Sequence, residues 1–325
     1  TIIHRQKLKK IKGSPKKLYV QINTEEAQYE KTRLLAEKEK NRQEKFIREF
    51  RAGARSAGLV QSRIKMLAKK EKLNPLSPLP PIRFKFLEKE FLGAKMLEAH
   101  NLSFGYEKNN DLLKKLSFEI LPHEKIGIIG ANGKGKSTLL KLLIGEIKQD
   151  SGTIKPNINL EMGYFGQSNV ERLDGQKNII EELLKVGNVS EQEVRNVSGS
   201  LLFSGDLAYK KIETLSGGEK ARVNLGKLLL SPLNCLYLDE PTNHLDYESV
   251  EALIKAVKNF SGGVLFVSHD ENFLRNVAEK LIVFEENEVF VFDGNYEKFL
   301  QEKGFLSEEA NTLSTQEKTK TKQKN

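Results

Sequence analysis

The chain has 325 residues, of which 38% are apolar and 30% charged, so it is long enough to bury a sizeable core. No apolar run approaches the ~18 residues that a membrane-spanning helix needs, and the single cysteine cannot form a disulfide within the chain. This composition excludes membrane-spanning proteins and small disulfide-rich domains, and it favours a cytoplasmic protein in a reducing compartment. The net charge of +9 is uneven, because residues 1–84 carry 22 Lys and Arg against 8 Asp and Glu.

The basic first quarter has two explanations that charge alone does not separate. An excess of Lys and Arg suits a polyanion, with nucleic acid the first candidate. The alternative is a pair of solvated, charged helices without a partner. Thr1–Asn23 has a basic, irregular pattern with a break at Gly13–Pro15, and we expect neither a strand nor a helix to start at the first residues.

Residues 24–72 lack proline and predict an antiparallel pair of helices. Thr24, followed by two glutamates, predicts a helix start, and the wholly polar stretch Glu37–Lys45 predicts an exposed segment. The small residues of Arg51–Gly58 predict the tip of this hairpin. Three apolar residues predict one buried face of the returning helix: Val60, Ile64 and Leu67. Asn74–Pro81, with four prolines, predicts a stiff linker.

Beyond Met96 the pattern changes to short apolar runs that alternate with helical stretches. The runs KIGIIG, CLYLDE, GVLFVSHD and LIVFEE are continuously apolar, as strands covered on both faces require. We therefore expect an α/β fold with a parallel sheet, and a buried core position for Cys235. After Leu300 the chain becomes polar, which predicts a disordered tail.

A phosphate-binding loop is predicted between a strand-like and a helix-like segment. It has the required spacing of Gly, four residues, Gly-Lys-Ser, and its residues are Gly130, Ala131, Asn132, Gly133, Lys134, Gly135, Lys136, Ser137 and the following Thr138. Its glycines allow successive N–H groups to face phosphates at a helix N-terminus. Lys136 is expected to reach the β- and γ-phosphates, and Ser137 to bind Mg²⁺.

Two acidic residues follow the apolar run Leu236–Leu238. Asp239 is placed to hold Mg²⁺, and Glu240 is placed to act as general base on an attacking water. Acids at a strand end are often only part of a solvated turn, but the phosphate loop upstream favours the catalytic interpretation.

A pentapeptide between these motifs identifies a superfamily. Its residues are Leu215, Ser216, Gly217, Gly218 and Glu219, and it resembles the LSGGE signature of ABC ATPases. The resemblance covers about Met96 to Leu300 and implies a P-loop cassette of ABC type with a helical subdomain. It also implies that Gln167 and His269 take part in catalysis, that Gln167 binds Mg²⁺, and that Tyr106 stacks on adenine. Lys134 stands where the superfamily mostly has a small residue, and its role is left open between phosphate contact and an outward orientation.

Three further segments resemble the ABC-F family. EPTNHLD begins at Glu240, FIREFRAGARSAGLVQSRIKMLAKKEK ends at Lys72, and FDGNYEKFL ends at Leu300. Such proteins carry two cassettes, and a helical linker between them reaches toward tRNA in the peptidyl site of the ribosome. The resemblance implies four parts: residues 1–23 as the trailing edge of a missing cassette, 24–84 as hairpin linker and Pro-rich connector, 96–304 as ATP-binding domain, and 305–325 as a basic, disordered tail.

The resemblance also implies a mechanism and partners. ATP with Mg²⁺ lies between the phosphate loop of one cassette and the signature of another, so a single cassette is expected to hydrolyse ATP slowly. We expect a ribosome-bound translation factor or ribosome-protection (antibiotic-resistance) factor with no membrane partner. Basic residues near the tip would contact rRNA or tRNA: Arg48, Arg51, Arg55, Arg63 and Lys65. The alternatives are the ATPase subunit of a transporter and a DNA-directed ABC ATPase.

Overall fold

The computed structural model describes ten stretches of the chain: residues 2–4, 7–9, 15–50, 57–69, 73–76, 82–106, 112–166, 172–243, 245–285 and 288–303. They form two compact units, Thr1–Pro81 and Ile82–Asn325. Each unit has its own elements, which are given separately below. Within the described residues, no helix combines the length and the apolar character needed to cross a lipid bilayer.

The first unit is built on a helical hairpin, as predicted. A short antiparallel ribbon and two helices make it up: β1 (Ile2–His4), β2 (Lys7–Lys9), α1 (Pro15–Phe50) and α2 (Ala57–Lys69). The prediction that the first helix starts at Thr24 is wrong. Proline is well suited to a first helical position because its missing N–H is not needed there, and Thr24 lies well inside α1 with its hydroxyl donating to the carbonyl of Val20 at 2.8 Å. The expectation of irregular structure before residue 24 is also wrong, because β1, β2 and the first turns of α1 lie there.

The polar stretch Glu37–Lys45 is helical and mostly exposed, as its composition predicts. Pairs of opposite charge four residues apart support it, including Lys40 with Glu44. Of the predicted tip, residues 51–56 lie outside the described residues, as do residues 77–81 of the Pro-rich linker and the tail from residue 304.

The predicted apolar face of α2 is only partly correct. Val60 is buried and Leu67 half-buried, but Ile64 is 43% exposed. Arg63 instead faces α1, with its guanidinium carbon 3.7 Å from the ring centre of Phe46 and its Nη1 donating to Gln43 at 2.9 Å. A guanidinium can pack flat on an aromatic ring while it keeps hydrogen bonds in its own plane, which an apolar pattern does not reveal.

The second unit is an α/β domain around a six-stranded sheet with strand order β13-β12-β6-β11-β10-β8. Its strands in chain order are β3 (Leu87–Glu88), β4 (Leu97–Phe104), β5 (Leu113–Ile120), β6 (Lys125–Gly130), β7 (Ser151–Pro156), β8 (Met162–Phe165), β9 (Pro232–Leu233), β10 (Cys235–Asp239), β11 (Gly263–Val267), β12 (Lys280–Phe284) and β13 (Val289–Phe292). All pairs in the large sheet are parallel except β12 with β13, which confirms the predicted parallel sheet.

Helices cover both faces of this sheet. The helices of this domain are α3 (Lys136–Leu143), α4 (Ile179–Leu184), α5 (Glu191–Ser200), α6 (Gly217–Leu230), α7 (Tyr247–Asn259) and α8 (Glu271–Val277), and residues 296–303 are also helical. Strand β10 shows why the apolar runs are continuous: Cys235 and Tyr237 enter one core cluster, whereas Leu236 and Leu238 enter the other. Cys235 is fully buried, as predicted.

A second, three-stranded antiparallel sheet with order β5-β4-β7 was not predicted. Its strands are buried on alternate residues at most, so they lack the long apolar runs that marked the parallel strands. Leu97 and Leu113 from this sheet join Ile126 and Leu139 in one core cluster. The antiparallel sheet therefore packs on the side of the domain that carries α3.

Candidate functional site

The phosphate loop joins β6 to α3 at the carboxyl edge of the parallel sheet. Gly130 has a φ of +146°, and a Cβ there would lie 2.5 Å from the carbonyl oxygen of Phe284 on β12. Gly135 is the N-cap of α3 in the left-handed region with a φ of +99°. Glycine is required at both positions, because a side chain would clash at the first and be strained at the second.

The side chain of Lys136 folds back over this loop. It is 6% exposed, and its Nζ donates to the carbonyl oxygens of Gly130 at 3.0 Å and Ala131 at 2.9 Å. Burial lowers the pKa of Lys136, and the nearby carboxylates of Glu240 and Asp239 offset part of that effect. The ammonium group is thus held by neutral carbonyls, and an anion in the loop could compete for it.

Asp239 ends β10 next to the first turn of α3. The Ser137 hydroxyl donates to its Oδ1 at 3.0 Å. Burial raises the pKa of Asp239, while the Ser137 hydrogen bond and the lysines 141 and 136 act in the opposite direction. A half-buried carboxylate beside a hydroxyl is a pair of oxygen donors of the kind that Mg²⁺ prefers, so these two residues fit the predicted metal.

Glu240 has a strained backbone and a poorly satisfied carboxylate. Its φ is +50°, an unusual value for a residue that is not glycine and that precedes a proline. Its Oε2 accepts a hydrogen bond from the backbone N–H of His269 at 3.4 Å, and its Oε1 lies 3.5 Å from Nε2 of the same residue. Burial raises the pKa of Glu240. Strain of this kind is typical of functional positions, and a carboxylate with raised proton affinity is suited to accept a proton.

One cavity of about 620 Å³ brings most of the predicted residues together. Its lining is Tyr106, Leu112, Asn132, Gly133, Gly135, Lys136, Ser137, Thr138, Glu240, Asn243, Val267 and His269. Tyr106 is 67% exposed, and its hydroxyl lies 3.3 Å from Oγ1 of Thr138. An exposed ring face above a loop of N–H groups can hold a base and its phosphates in one molecule.

Sequence reasoning missed Asn243, which lines the same cavity. It lies within the EPTNHLD segment that marked the family, so the motif itself was the available signal. Its amide adds a hydrogen-bonding group on the side of Glu240. Leu112 and Val267 supply apolar lining that no local pattern indicated as part of a site.

Lys134 lies apart from the phosphate cavity. It lines an adjacent cavity of about 750 Å³ together with Ala131, Glu285 and Glu288. Gly130, Ala131 and His269 line this adjacent cavity too, so the grouping of Lys134 with the phosphate-binding residues stays a prediction. Gln167 lies outside the described residues, so its position is not part of the site geometry.

The signature pentapeptide forms the start of α6 rather than the lining of the cavity. Ser216 is the N-cap of this helix, and its backbone N–H and hydroxyl both donate to Oε2 of Glu219 at 2.8 Å. The Ser216 hydroxyl in turn accepts from the Glu219 N–H, which completes a capping box. Gly217 and Gly218 follow as the first helical residues, so this end can approach another surface closely.

Comparison with known families identifies two matching segments. A family model described as "ABC transporter" matches residues 113–243, which include the phosphate loop, the signature and Glu240. An extension model with the same description matches residues 2–84. The two matches fall in the α/β domain and, for most of the second one, in the hairpin unit.

Curated relatives extend over most of the chain. ATP-binding cassette sub-family F member 3 of Mus musculus is 38% identical over 270 residues, 80% of this chain and 38% of the relative. The putative ATP-binding protein YdiF of Bacillus subtilis is 37% identical over 287 residues, which are 87% of this chain and 44% of the relative. Protein GCN20 of Saccharomyces cerevisiae is 37% identical over 252 residues, which are 77% of this chain and 34% of the relative. The chain thus spans less than half the length of each of these relatives.

Solved structures match the fold of the α/β domain. The ATP-binding subunit of an ABC transporter matches with a TM-score of 0.53 at 22% identity over 67% of this chain and 99% of its own. CbiO1 from Clostridium perfringens, part of the transporter complex cbiONQ, matches with a TM-score of 0.51 at 24% identity, over 66% of this chain and 94% of its own. The phosphate loop, the signature and the similarity to relatives over both units lead to one conclusion: the chain belongs to the ABC-F family of ATP-binding cassette proteins.

Proposed function

We propose that the chain binds MgATP in the 620 Å³ cavity and hydrolyses it when a second cassette completes the site. The observation that carries this proposal is the convergence of Lys136, Ser137 and Glu240 on one cavity, with Asp239 hydrogen-bonded to Ser137 beside it. A cation, a hydroxyl–carboxylate pair and a half-buried base are the groups that phosphoryl transfer to water requires.

Each residue has a proposed role. The loop N–H groups and Lys136 bind the phosphates, with Lys136 exchanging its two carbonyl acceptors for phosphate oxygens. Ser137 and Asp239, with Gln167 as a further candidate, hold Mg²⁺, which when bound would neutralise phosphate charge. Glu240 accepts the proton of the attacking water, His269 orients Glu240 and the γ-phosphate, and Tyr106 stacks on the base.

The signature acts on a nucleotide held by another cassette. Ser216 and the two glycines that follow lie at the N-terminus of α6, whose N–H groups suit an anion. They do not line the cavity of their own cassette, which supports a composite site. Residues 1–325 contain one cassette, so hydrolysis by these residues alone should be slow and should rise with their concentration.

We infer a ribosomal role from the hairpin unit. Residues 24–84 would serve as the linker that contacts rRNA or peptidyl-site tRNA, and residues 96–304 as the ATP-binding domain. Residues 1–23 would border a first cassette, and residues 305–325 would form a basic tail. Arg48 and Lys65 are exposed on α1 and α2 near the predicted tip, and exposed cations of this kind can contact phosphates. This role places the protein in the cytoplasm, as a translation or ribosome-protection factor.

Co-sedimentation with ribosomes tests this function. The Glu240→Gln chain, with and without MgATP, would be sedimented with ribosomes at two salt concentrations and compared for binding to duplex DNA. ATP-dependent, salt-sensitive sedimentation with ribosomes is the expected result. Preferential binding to DNA would replace the ribosomal role with a DNA-directed one. Hydrolysis by the parent chain, together with binding of the Glu240→Gln chain to neither ribosomes nor DNA, would support the transporter-type alternative.

A further inference from the structure

Glu182 on α4 is a carboxylate that the proposed chemistry does not use. It is 1% exposed, yet it carries two close cations. Its Oε1 accepts from Nζ of Lys227 on α6 at 2.8 Å, and its Oε2 pairs with Nζ of Lys185 at 2.7 Å. Burial by itself would raise the pKa of Glu182, but the two ammonium groups outweigh it and the pKa is lowered. The side chain is therefore a buried anion held between two helices.

Lys227 connects this anion to the helix that starts at the signature. It lies in the last turn of α6, whose N-cap is Ser216. At Gly226, α6 packs very closely against α4 and the end of α5. A Cβ at this position would lie 2.7 Å from Cδ1 of Leu201 and 3.0 Å from Cδ2 of Leu183. Close packing limits the distance between the helices, and the Glu182–Lys227 bond limits sliding and rotation of α6.

The residues that lead into α6 are hydrogen-bonded to the segment that precedes α4. The backbone N–H of Ile212 donates to the carbonyl of Lys177 at 2.9 Å, and that of Glu213 donates to Gly175 at 3.1 Å. The Gln176 side chain also donates to Glu213 at 3.0 Å. The turn that leads into the signature helix and the last turn of that helix are thus both attached to one continuous segment, residues 175–184. Among the described residues of this segment, Glu182 is the only charged residue that is buried.

We propose that Glu182 is a positioning residue for the signature: through Lys227 it sets where Ser216, Gly217 and Gly218 stand against the nucleotide of the other cassette. This role rests on the proposed function, because it concerns the composite site that two cassettes form. Glu182 does not line the cavity of its own cassette, so its substitution should leave nucleotide binding at that cavity unchanged.

The variant Glu182→Gln keeps the shape of the side chain but removes the charge that pairs with both lysines. The MgATP affinity of the chain should remain as in the parent. Concentration-dependent hydrolysis should fall by on the order of tenfold to a hundredfold, the loss that a misplacement of about 1 Å can cause. The matched control is Asp174→Asn, which removes an exposed partner of Lys185 and should leave hydrolysis near the parent value.

Mixing two different variant chains shows whether Glu182 acts on the nucleotide held by the other chain or on the nucleotide site of its own chain. A Lys136→Ala chain keeps its signature but binds nucleotide poorly, whereas a Glu182→Gln chain keeps its phosphate loop. Mixed, they can form one composite site from intact halves, so activity should exceed that of either chain alone. A Lys136→Ala/Glu182→Gln chain mixed with Glu182→Gln should give no such gain. Equal activity in the two mixtures would overturn the positioning role.

The same samples distinguish failure of this inference from failure of the proposed function. If the parent shows no concentration-dependent hydrolysis, the association of two copies of this chain is refuted, and amide hydrogen exchange tests separately whether Glu182 holds α6 in place. Faster exchange in residues 220–225 of α6, with unchanged exchange in α3, supports positioning. Unchanged exchange in α6, or equal acceleration in both helices, contradicts it, since general loss of stability would affect the two alike.

Discussion

The hydroxyl of Ser137 donates to Oδ1 of Asp239 at 3.0 Å, although the two residues are 102 positions apart in the chain. This bond brings the first turn of α3 against the end of β10 and places the proposed Mg²⁺ ligands side by side. The carboxylate is nevertheless held at a cost to the free protein, because burial raises the pKa of Asp239. Function and stability therefore make opposite demands on this residue.

Asp239→Asn should stabilise the nucleotide-free chain at neutral pH while it weakens MgATP binding. The folded-state pKa of Asp239 is raised, so the folded protein binds the proton more tightly than the unfolded chain, and its stability falls as pH rises above about 4 through the raised pKa. Removal of the charge should abolish that loss. Thermal unfolding of the parent and Asp239→Asn chains from pH 4 to 7.5 measures the loss of stability that the charge causes. The surface control Asp246→Asn keeps an N-cap for α7 and should stay within about 0.5 kcal/mol of the parent. An Asp239→Asn chain less stable than the parent at pH 7.5 would contradict this account.

Lys136→Ala should weaken MgATP binding by on the order of tenfold to a hundredfold, since one hydrogen-bonded charge contact contributes about 1.5–3 kcal/mol. Isothermal titration calorimetry or fluorescent-nucleotide titration measures the affinity. Lys134→Ala is the matched control: it removes a lysine two positions earlier that lines the adjacent cavity, and its effect should be much smaller. Equal losses in the two variants would show that the orientation of the loop lysines is misassigned.

Glu240→Gln should preserve MgATP binding and slow hydrolysis by about 100- to 10,000-fold, the usual contribution of a general base. An amide of the same shape can still accept from the His269 backbone N–H but cannot take a proton from water. Phosphate release under single-turnover conditions measures the chemical step. The control Glu285→Gln changes an acid that follows strand β12 of the same sheet and should keep the parent rate. Parent-like hydrolysis by Glu240→Gln would remove this residue from the catalytic role.

The double reversal Arg48→Glu/Lys65→Glu should weaken ribosome association and reduce its salt dependence by about one unit of slope per lost phosphate contact. Both side chains are exposed, so stability should change by less than about 0.5 kcal/mol. Sedimentation of the double variant in the Glu240→Gln background at two salt concentrations checks this. Unchanged sedimentation at both would leave the hairpin without a role in RNA contact at these positions.

Arg63 needs separate treatment, because it packs on Phe46 and donates to Gln43 rather than standing free. Arg63→Glu should lose this contact and place a carboxylate over the ring face, which destabilises the hairpin by on the order of 1 kcal/mol. Helix content on heating, followed by circular dichroism, measures that loss. A decrease in ribosome binding by this variant would therefore reflect folding as well as charge, unlike that of the Arg48 and Lys65 variants.

Local chemistry in the sequence was enough to predict the phosphate loop, the acids after β10 and the parallel strands. Each of those signals acts within a few residues: glycines permit the turn at Gly130–Gly135, and a strand covered on both faces must be apolar at every position, as Cys235–Leu238 is. The continuous polar stretch Glu37–Lys45 likewise predicted its own exposure. These conclusions needed no knowledge of which strands are neighbours.

Only the tertiary structure decided which distant groups meet. The strand order places β10 and β6 on either side of β11, and that arrangement brings Asp239 within 3.0 Å of Ser137. The same arrangement places Lys134 in the lining of one cavity and Lys136 in the lining of the other, although both belong to one loop. Helix packing brings the buried carboxylate of Glu182 into contact with Lys227 on a different helix. Sheet order and helix packing arise from the sum of many weak contacts over the whole domain, so no single motif encodes them.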